Sequence, residues 1–104
     1  MAGRHVASES FEREVLQSER PTLVDFHADW CGPCRAVAPV LNELANELEG
    51  QANVVTVNVD ESADLAQQYG VQALPTFMVF RDGKAITKLV GIQSKEALAK
   101  AIAA

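Results

Sequence analysis

Both cysteines of the chain lie in one short segment, residues 29–35, which reads DWCGPCR. Two residues separate Cys31 from Cys34, and this spacing is compatible with three kinds of chemistry. The pair could be a structural disulfide, one half of a metal site, or a dithiol that is oxidised and reduced in turn. The rest of the sequence has to distinguish these possibilities, because the spacing alone permits all three.

The length and composition of the chain bear on the first two possibilities. A chain of 104 residues with 48% hydrophobic and 22% charged residues is expected to form a single domain, 1–104, that buries a core without a cross-link. A disulfide that closes so short a loop also removes little entropy from the unfolded chain. A zinc site needs about four ligands, and only His5, His27 and acidic residues are left to complete one. The sequence therefore favours a redox pair, no metal, and a reducing compartment.

The charge pattern narrows the range of partners. The chain has 14 acidic and 9 basic residues, a net charge of −5, and no cluster of basic residues that could neutralise a run of phosphates. Binding to nucleic acid is therefore not expected. The first 14 residues contain no apolar export signal, and no stretch approaches the length of a membrane span. We expect a cytoplasmic protein that does not enter a membrane.

Hydrophobic periodicity and turn residues predict alternating strands and helices. The apolar runs 22–28 and 53–59 indicate strands of a sheet covered on both faces, and Asp82 with Gly83 indicates a hairpin turn. In chain order we expect a weak strand at 4–7, a helix at 8–18 capped by Ser8, the strand 22–28, a long helix from Pro33 to Gly50, the strand 53–59, a short helix capped by Ser62, strands at 76–80 and 85–90, and a helix opened by Ser94. This order predicts an α/β fold with a central mixed sheet of about five strands flanked by four helices.

The predicted long helix gives the two cysteines different environments. Cys31 lies at or just before its first turn, where unpaired backbone N–H groups and the helix dipole stabilise an anion. A thiolate at Cys31 is therefore expected to be the attacking sulfur. Cys34 lies one turn further in, and we expect it to be more enclosed and to attack the mixed disulfide, which releases the product. Pro33 suits an early helical position and stiffens the loop between the sulfurs.

The segment LVDFHADWCGPCR resembles the active-site segment of the thioredoxin family. The resemblance continues through VDES, YGVQALPTF, FRDGK and LVGIQSKEAL, and so covers essentially the whole chain. It implies that Cys31 and Cys34 are the catalytic pair and that Pro75 is a cis-proline facing them. A cis bond there would expose the backbone of Leu74 to an extended target segment. The implied target-binding surface is a flat apolar patch made of Trp30, Gly32, Pro33, Leu74, Pro75, Gly91 and Ile92.

Asp25 lies in the middle of an apolar strand, where a carboxyl group is costly unless it is paired or protonated. We therefore expect its pKa to be raised. The resemblance implies that Asp25 accepts the proton of Cys34, through water, as the base of the reaction. The alternative is a buried acid that local hydrogen bonds satisfy and that has no part in catalysis.

Three further residues are expected to tune the reaction. His27 stands where thioredoxins usually have tryptophan, and it either titrates near neutral pH and tunes the thiolate or packs as a neutral ring. Thr56 stands where many thioredoxins have a lysine, so the pKa of Asp25 should be higher than in a relative that has the lysine. Arg35 follows the cysteine pair, where a cation either supports the thiolate or is simply solvated.

The resemblance implies a protein-disulfide reductase and dithiol electron carrier. Its expected partners are disulfide-containing target proteins and an NADPH-dependent thioredoxin reductase that recycles it. The chain itself has no GxGxxG loop, and no cofactor is expected beyond the redox-active disulfide. We expect a monomer. Two alternatives stay open, a disulfide oxidase or isomerase with the same fold and a non-catalytic binding module in which the cysteines are incidental.

Overall fold

The computed structural model describes residues 3–104, so residues 1 and 2 of the predicted domain lie outside the described part. The strands are β1 (Arg4–His5), β2 (Thr22–His27), β3 (Asn53–Asn58), β4 (Thr76–Arg81) and β5 (Lys84–Val90). The helices are α1 (Ser8–Phe11), which continues into a π-helical turn (Glu12–Leu16), α2 (Gly32–Glu47), α3 (Ala63–Gln68) and α4 (Lys95–Ala103). The strands form one sheet in the order β1-β3-β2-β4-β5. Strands β1, β3 and β2 are parallel, and β4 runs antiparallel to β2 and β5, so the predicted mixed α/β sheet is confirmed.

Strand β2 carries the apolar side chains Leu23, Val24 and Phe26, because both faces of the sheet are covered there. Leu23 points to the face covered by α2 and α4, where its cluster includes Leu41 and Leu98. Val24 and Phe26 point to the opposite face and join the cluster of α1 and α3. Successive side chains of a strand alternate between faces, so a continuous apolar run fills both cores at once. The acidic side chain within this strand, Asp25, is buried together with its neighbours.

The predicted hairpin turn and the predicted cap of α4 are both confirmed. Asp82 and Gly83 have φ values of 54° and 79°, the left-handed conformation that a two-residue hairpin between β4 and β5 requires. Ser94 caps α4, since its Oγ accepts a hydrogen bond from the N–H of Ala97 at 3.1 Å.

Among residues 3–104, no helix has both the length and the apolar character needed to cross a membrane.

The two other predicted caps need correction. The N-cap residue of α1 is Ala7 and not Ser8, and neither α1 nor α3 has a side-chain cap from its own N-cap residue. Ser62 precedes α3 as expected, but its Oγ accepts a hydrogen bond from the N–H of Ser8 at 3.1 Å. This difference arises from tertiary packing. Ser62 is buried where α1 packs against the start of α3, so its hydroxyl accepts from a backbone N–H at the start of α1 that has no partner within that helix.

Candidate active site

The two cysteines form a disulfide at the start of α2. Their Cα atoms are 5.3 Å apart, and Cys31 is the N-cap residue of the helix. The backbone N–H of Cys34 donates a hydrogen bond to Sγ of Cys31 at 3.2 Å. This N–H belongs to the first turn of the helix and has no partner within the helix, so it is directed at the Cys31 sulfur. The same contact would stabilise a thiolate on that sulfur after reduction.

Both cysteines are buried, with 4% of Cys31 and 7% of Cys34 exposed. The expectation that Cys34 is the more enclosed of the two is therefore wrong for the disulfide form. The bonded sulfurs share one small apolar cluster with Ala28, against which Val59 and Leu74 pack. A target protein therefore has to contact the surface around the two cysteines in order to reach their sulfurs.

Several apolar groups of the predicted target surface are exposed. Trp30 and Ile92 are 69% and 62% exposed, which is unusual for large apolar side chains. Gly32 and Pro33 are exposed in the first turn of α2. Such groups are typical of a surface that contacts another protein.

The loop before β4 connects the disulfide with the segment that carries Ile92. The Leu74–Pro75 bond is cis, and half-buried Leu74 packs against the cysteine cluster. The N–H of Gly91 donates to the carbonyl oxygen of Pro75 at 2.8 Å, which fixes the end of β5 beside this loop. Pro75 itself is buried, so it lies beneath the exposed surface. The backbone N–H and carbonyl of Leu74 make no hydrogen bond within residues 3–104.

Asp25 and Cys34 line the same cavity, which has a volume of about 410 Å³. Asp25 is 4% exposed, and its Oδ1 has no hydrogen-bond partner within residues 3–104. Burial raises the pKa of Asp25 from 3.8 to about 7, the direction expected from the sequence. An unpartnered oxygen does not fit an acid that local hydrogen bonds fully satisfy. The carboxyl group therefore lines the cavity that Cys34 also lines, and its pKa lies near neutral pH.

His27 lines the cavity and is half-buried. Burial lowers its pKa below 6.5, and this effect outweighs the nearby carboxylates of Asp29 and Glu61, which raise it. The nearby His5 lowers it further. The pKa of His27 therefore lies below its ordinary value because of burial, and tuning of the thiolate by His27 stays a prediction.

Thr56 and Arg35 also line the cavity. Thr56 is the register partner of Asp25 on β3, so the residue directly beside the carboxyl group brings no charge. Nη1 of Arg35 donates to the carbonyl oxygen of Asp29 at 2.6 Å, which holds the exposed guanidinium at the end of β2. The structure therefore brings all three predicted tuning residues to one cavity with Asp25.

Two residues that the sequence analysis did not single out belong to the site. Val59 packs against the cysteine cluster, and Oδ2 of Asp60 accepts a hydrogen bond from Nε1 of Trp30 at 2.9 Å. Both directly follow β3, and Asp29 and Trp30 follow β2 after one intervening residue, Ala28. The carboxyl ends of neighbouring parallel strands meet at one edge of a sheet. The residues that follow β3 could therefore have been predicted to lie near those that follow β2.

The chain was compared with known proteins. The family model "Thioredoxin" matches residues 3–104. The chain belongs to the thioredoxin family. "Thioredoxin 1" of Nostoc sp. is 46% identical over 101 residues, 97% of this chain and 94% of that protein. "Thioredoxin 1" of Synechococcus elongatus is 47% identical over 97 residues, 93% of this chain and 91% of that protein. A thioredoxin of Pseudomonas aeruginosa is 45% identical over 95 residues, 91% of this chain and 88% of that protein.

Family membership and the paired cysteines define the reaction class. The chain is a protein-disulfide oxidoreductase of the thioredoxin type, a class that transfers electrons by thiol–disulfide exchange, and its Cys31 and Cys34 form a disulfide. The prediction of a reductase is confirmed at this level. Thioredoxins normally need no further cofactor, and in the part of the chain from 3 to 104 no three His, Cys, Asp or Glu residues are grouped to hold a metal ion.

Proposed function

We propose that Cys31 attacks disulfides of target proteins, that Cys34 resolves the mixed disulfide, and that an NADPH-dependent thioredoxin reductase regenerates the dithiol. The observation that carries this assignment is the hydrogen bond from the Cys34 N–H to Sγ of Cys31. It stabilises negative charge on one sulfur of the pair only. The stabilised thiolate is the nucleophile of thiol–disulfide exchange.

The reaction transfers two electrons and two protons. The Cys31 thiolate attacks one sulfur of the target disulfide, and the other target sulfur leaves as a thiolate and takes up a proton. The Cys34 thiol gives its proton to Asp25, and its sulfur attacks Sγ of Cys31 in the mixed disulfide. The second target sulfur leaves as a thiolate and takes up the proton that Asp25 releases, and Cys31 and Cys34 are joined by the new disulfide. The reductase then returns two electrons and two protons to the pair.

Asp25 is proposed as the base because it shares a cavity with Cys34 and because burial raises its pKa to about 7. A base with this pKa accepts a proton near neutral pH and also releases it again. His27, Thr56 and Arg35 are proposed to tune this exchange, since they form the other polar walls of the same cavity.

The target is proposed to bind as an extended segment across the apolar patch. The free backbone groups of Leu74 support this, because an extended segment could pair with them as a short added strand. Exposed Trp30 and Ile92 would contact its side chains on either side. The proposed contact residues are Trp30, Gly32, Pro33, Leu74, Gly91 and Ile92, and buried Pro75 is proposed to support this surface from beneath.

We further propose that the chain acts as a single-domain monomer in the cytoplasm, where a reductase keeps its dithiol reduced. The reductase is proposed to bind the same face as the targets, because it must reach the same sulfurs. Sedimentation at micromolar concentration tests the monomer, and a dimer mass would contradict it.

A trapping experiment tests the roles of the two cysteines. The Cys34→Ser variant, mixed with a disulfide protein such as insulin, should accumulate a covalent mixed disulfide through Cys31, because the resolving thiol is missing. The Cys31→Ser variant is the matched control and should trap little. Preferential trapping by Cys31→Ser would reverse the assignment, and trapping by neither variant would contradict the proposed reaction.

A further inference from the structure

The turn that follows β3 is organised by one buried side chain. Oδ1 of Asn58 accepts hydrogen bonds from the backbone N–H groups of Asp60 at 2.8 Å and Glu61 at 3.3 Å. The carbonyl oxygen of Asn58 accepts another from the N–H of Ser62 at 2.9 Å. Only 6% of Asn58 is exposed. An asparagine that accepts from backbone groups ahead of it fixes the path of the turn.

The same turn holds the exposed tryptophan of the apolar patch. Trp30 is 69% exposed, and its Nε1 donates to Oδ2 of Asp60 at 2.9 Å. Asn58 therefore fixes the backbone of the residue whose carboxylate holds the indole ring.

Strand pairing provides a second fixed point for this contact. Asn58 pairs in register with His27, and the N–H of Val59 donates to the carbonyl oxygen of His27 at 2.9 Å. Asp60 follows Asn58 by two residues, and Trp30 follows His27 by three. The two residues of the Trp30–Asp60 hydrogen bond therefore each follow closely on one member of the paired residues His27 and Asn58.

We propose that Asn58 is a positioning residue for target binding, which holds the indole of Trp30 in its binding orientation through Asp60. This inference rests on the proposed function. The oriented ring forms one wall of a groove of about 270 Å³, together with Val59 and Leu74. A side chain that is already ordered costs less entropy when a target binds, so this arrangement raises affinity for protein targets.

The test combines steady-state kinetics with tryptophan fluorescence. Asn58→Ala should raise KM for insulin reduction by about three- to tenfold with little change in kcat, because it affects binding and not the thiols. Trp30 is the only tryptophan, so its fluorescence anisotropy reports the freedom of this one ring and should fall. Asn58→Asp keeps an oxygen acceptor in the same place and should restore both values. Asn46→Ala, at an exposed asparagine of α2, is the control.

Repeating the substitution in a Trp30→Phe variant shows whether the rise in KM caused by Asn58→Ala depends on the indole ring. There, Asn58→Ala should raise KM no further, because the two changes remove one shared contribution. An equal rise in KM in that background, or an unchanged anisotropy in Asn58→Ala, would overturn the proposal.

If Asn58→Ala does not fold, Asp60→Ala at its exposed position takes its place, with the same required changes in KM and anisotropy. The anisotropy is measured without any target. It therefore tests this inference even if the chain reduces no protein disulfide, a result that would instead contradict the proposed function.

Discussion

Replacing the buried carboxyl group of Asp25 by an amide should make the chain more stable at alkaline pH. Burial raises the pKa of Asp25 from 3.8 to about 7, so the folded state binds this proton far more tightly than the unfolded state. Each tenfold difference in proton affinity corresponds to about 1.4 kcal/mol, and the full difference amounts to about 4 kcal/mol.

The sign of this effect follows from the raised pKa. The protonated carboxyl group contributes its full stability below pH 3.8, and this contribution is lost as the pH rises towards and through 7. The amide side chain of the Asp25→Asn variant is neutral at every pH. The wild type should therefore lose about 4 kcal/mol relative to this variant between about pH 4 and pH 9.

Urea unfolding of the disulfide form at a series of pH values measures this difference. The disulfide is kept in both proteins, so that its contribution cancels. Glu9→Gln, which removes an exposed carboxyl group at the start of α1, is the control and should follow the wild-type curve. If the free-energy gap between wild type and Asp25→Asn stayed constant over this pH range, burial would not raise the pKa of Asp25 and the reasoning about the base would be wrong.

Two other substitutions test the residues around the cavity. Thr56→Lys places a cation beside Asp25 on the neighbouring strand, so it should lower the pKa of that carboxyl group and flatten the pH dependence of stability; an unchanged or raised titration would count against this. His27→Phe separates the two roles of the imidazole through the pH profile of Cys31 alkylation. A displaced profile is the result that the proposed tuning predicts, and an unchanged profile would contradict it and support a packed neutral ring.

Local patterns in the sequence were sufficient to predict most of the fold. The apolar run of β2, the helical spacing of α2 and the Asp82–Gly83 turn each depend on residues close together in the chain. The position of Cys31 at the N-terminus of α2 follows from the same local reasoning. The burial of Asp25 could also be predicted, because its neighbours on β2 are apolar on both sides.

Contacts between distant segments could not be predicted in this way. Ser62 and Ser8 are 54 residues apart, and only the packing of α1 against α3 shows which N–H the Ser62 hydroxyl satisfies. The Trp30–Asp60 hydrogen bond spans 30 residues and depends on the pairing of β2 with β3. The comparable burial of the two cysteines arises from the apolar cluster around them, which helix position alone does not reveal.

The equilibrium reduction potential of the Cys31–Cys34 pair, measured against graded glutathione buffers, tests most directly whether this pair is a reducing dithiol. We predict a reversible two-electron couple well on the reducing side of the glutathione pair. An oxidising value would move the chain to the class of disulfide oxidases, and the absence of any reversible disulfide would contradict a redox role for the pair.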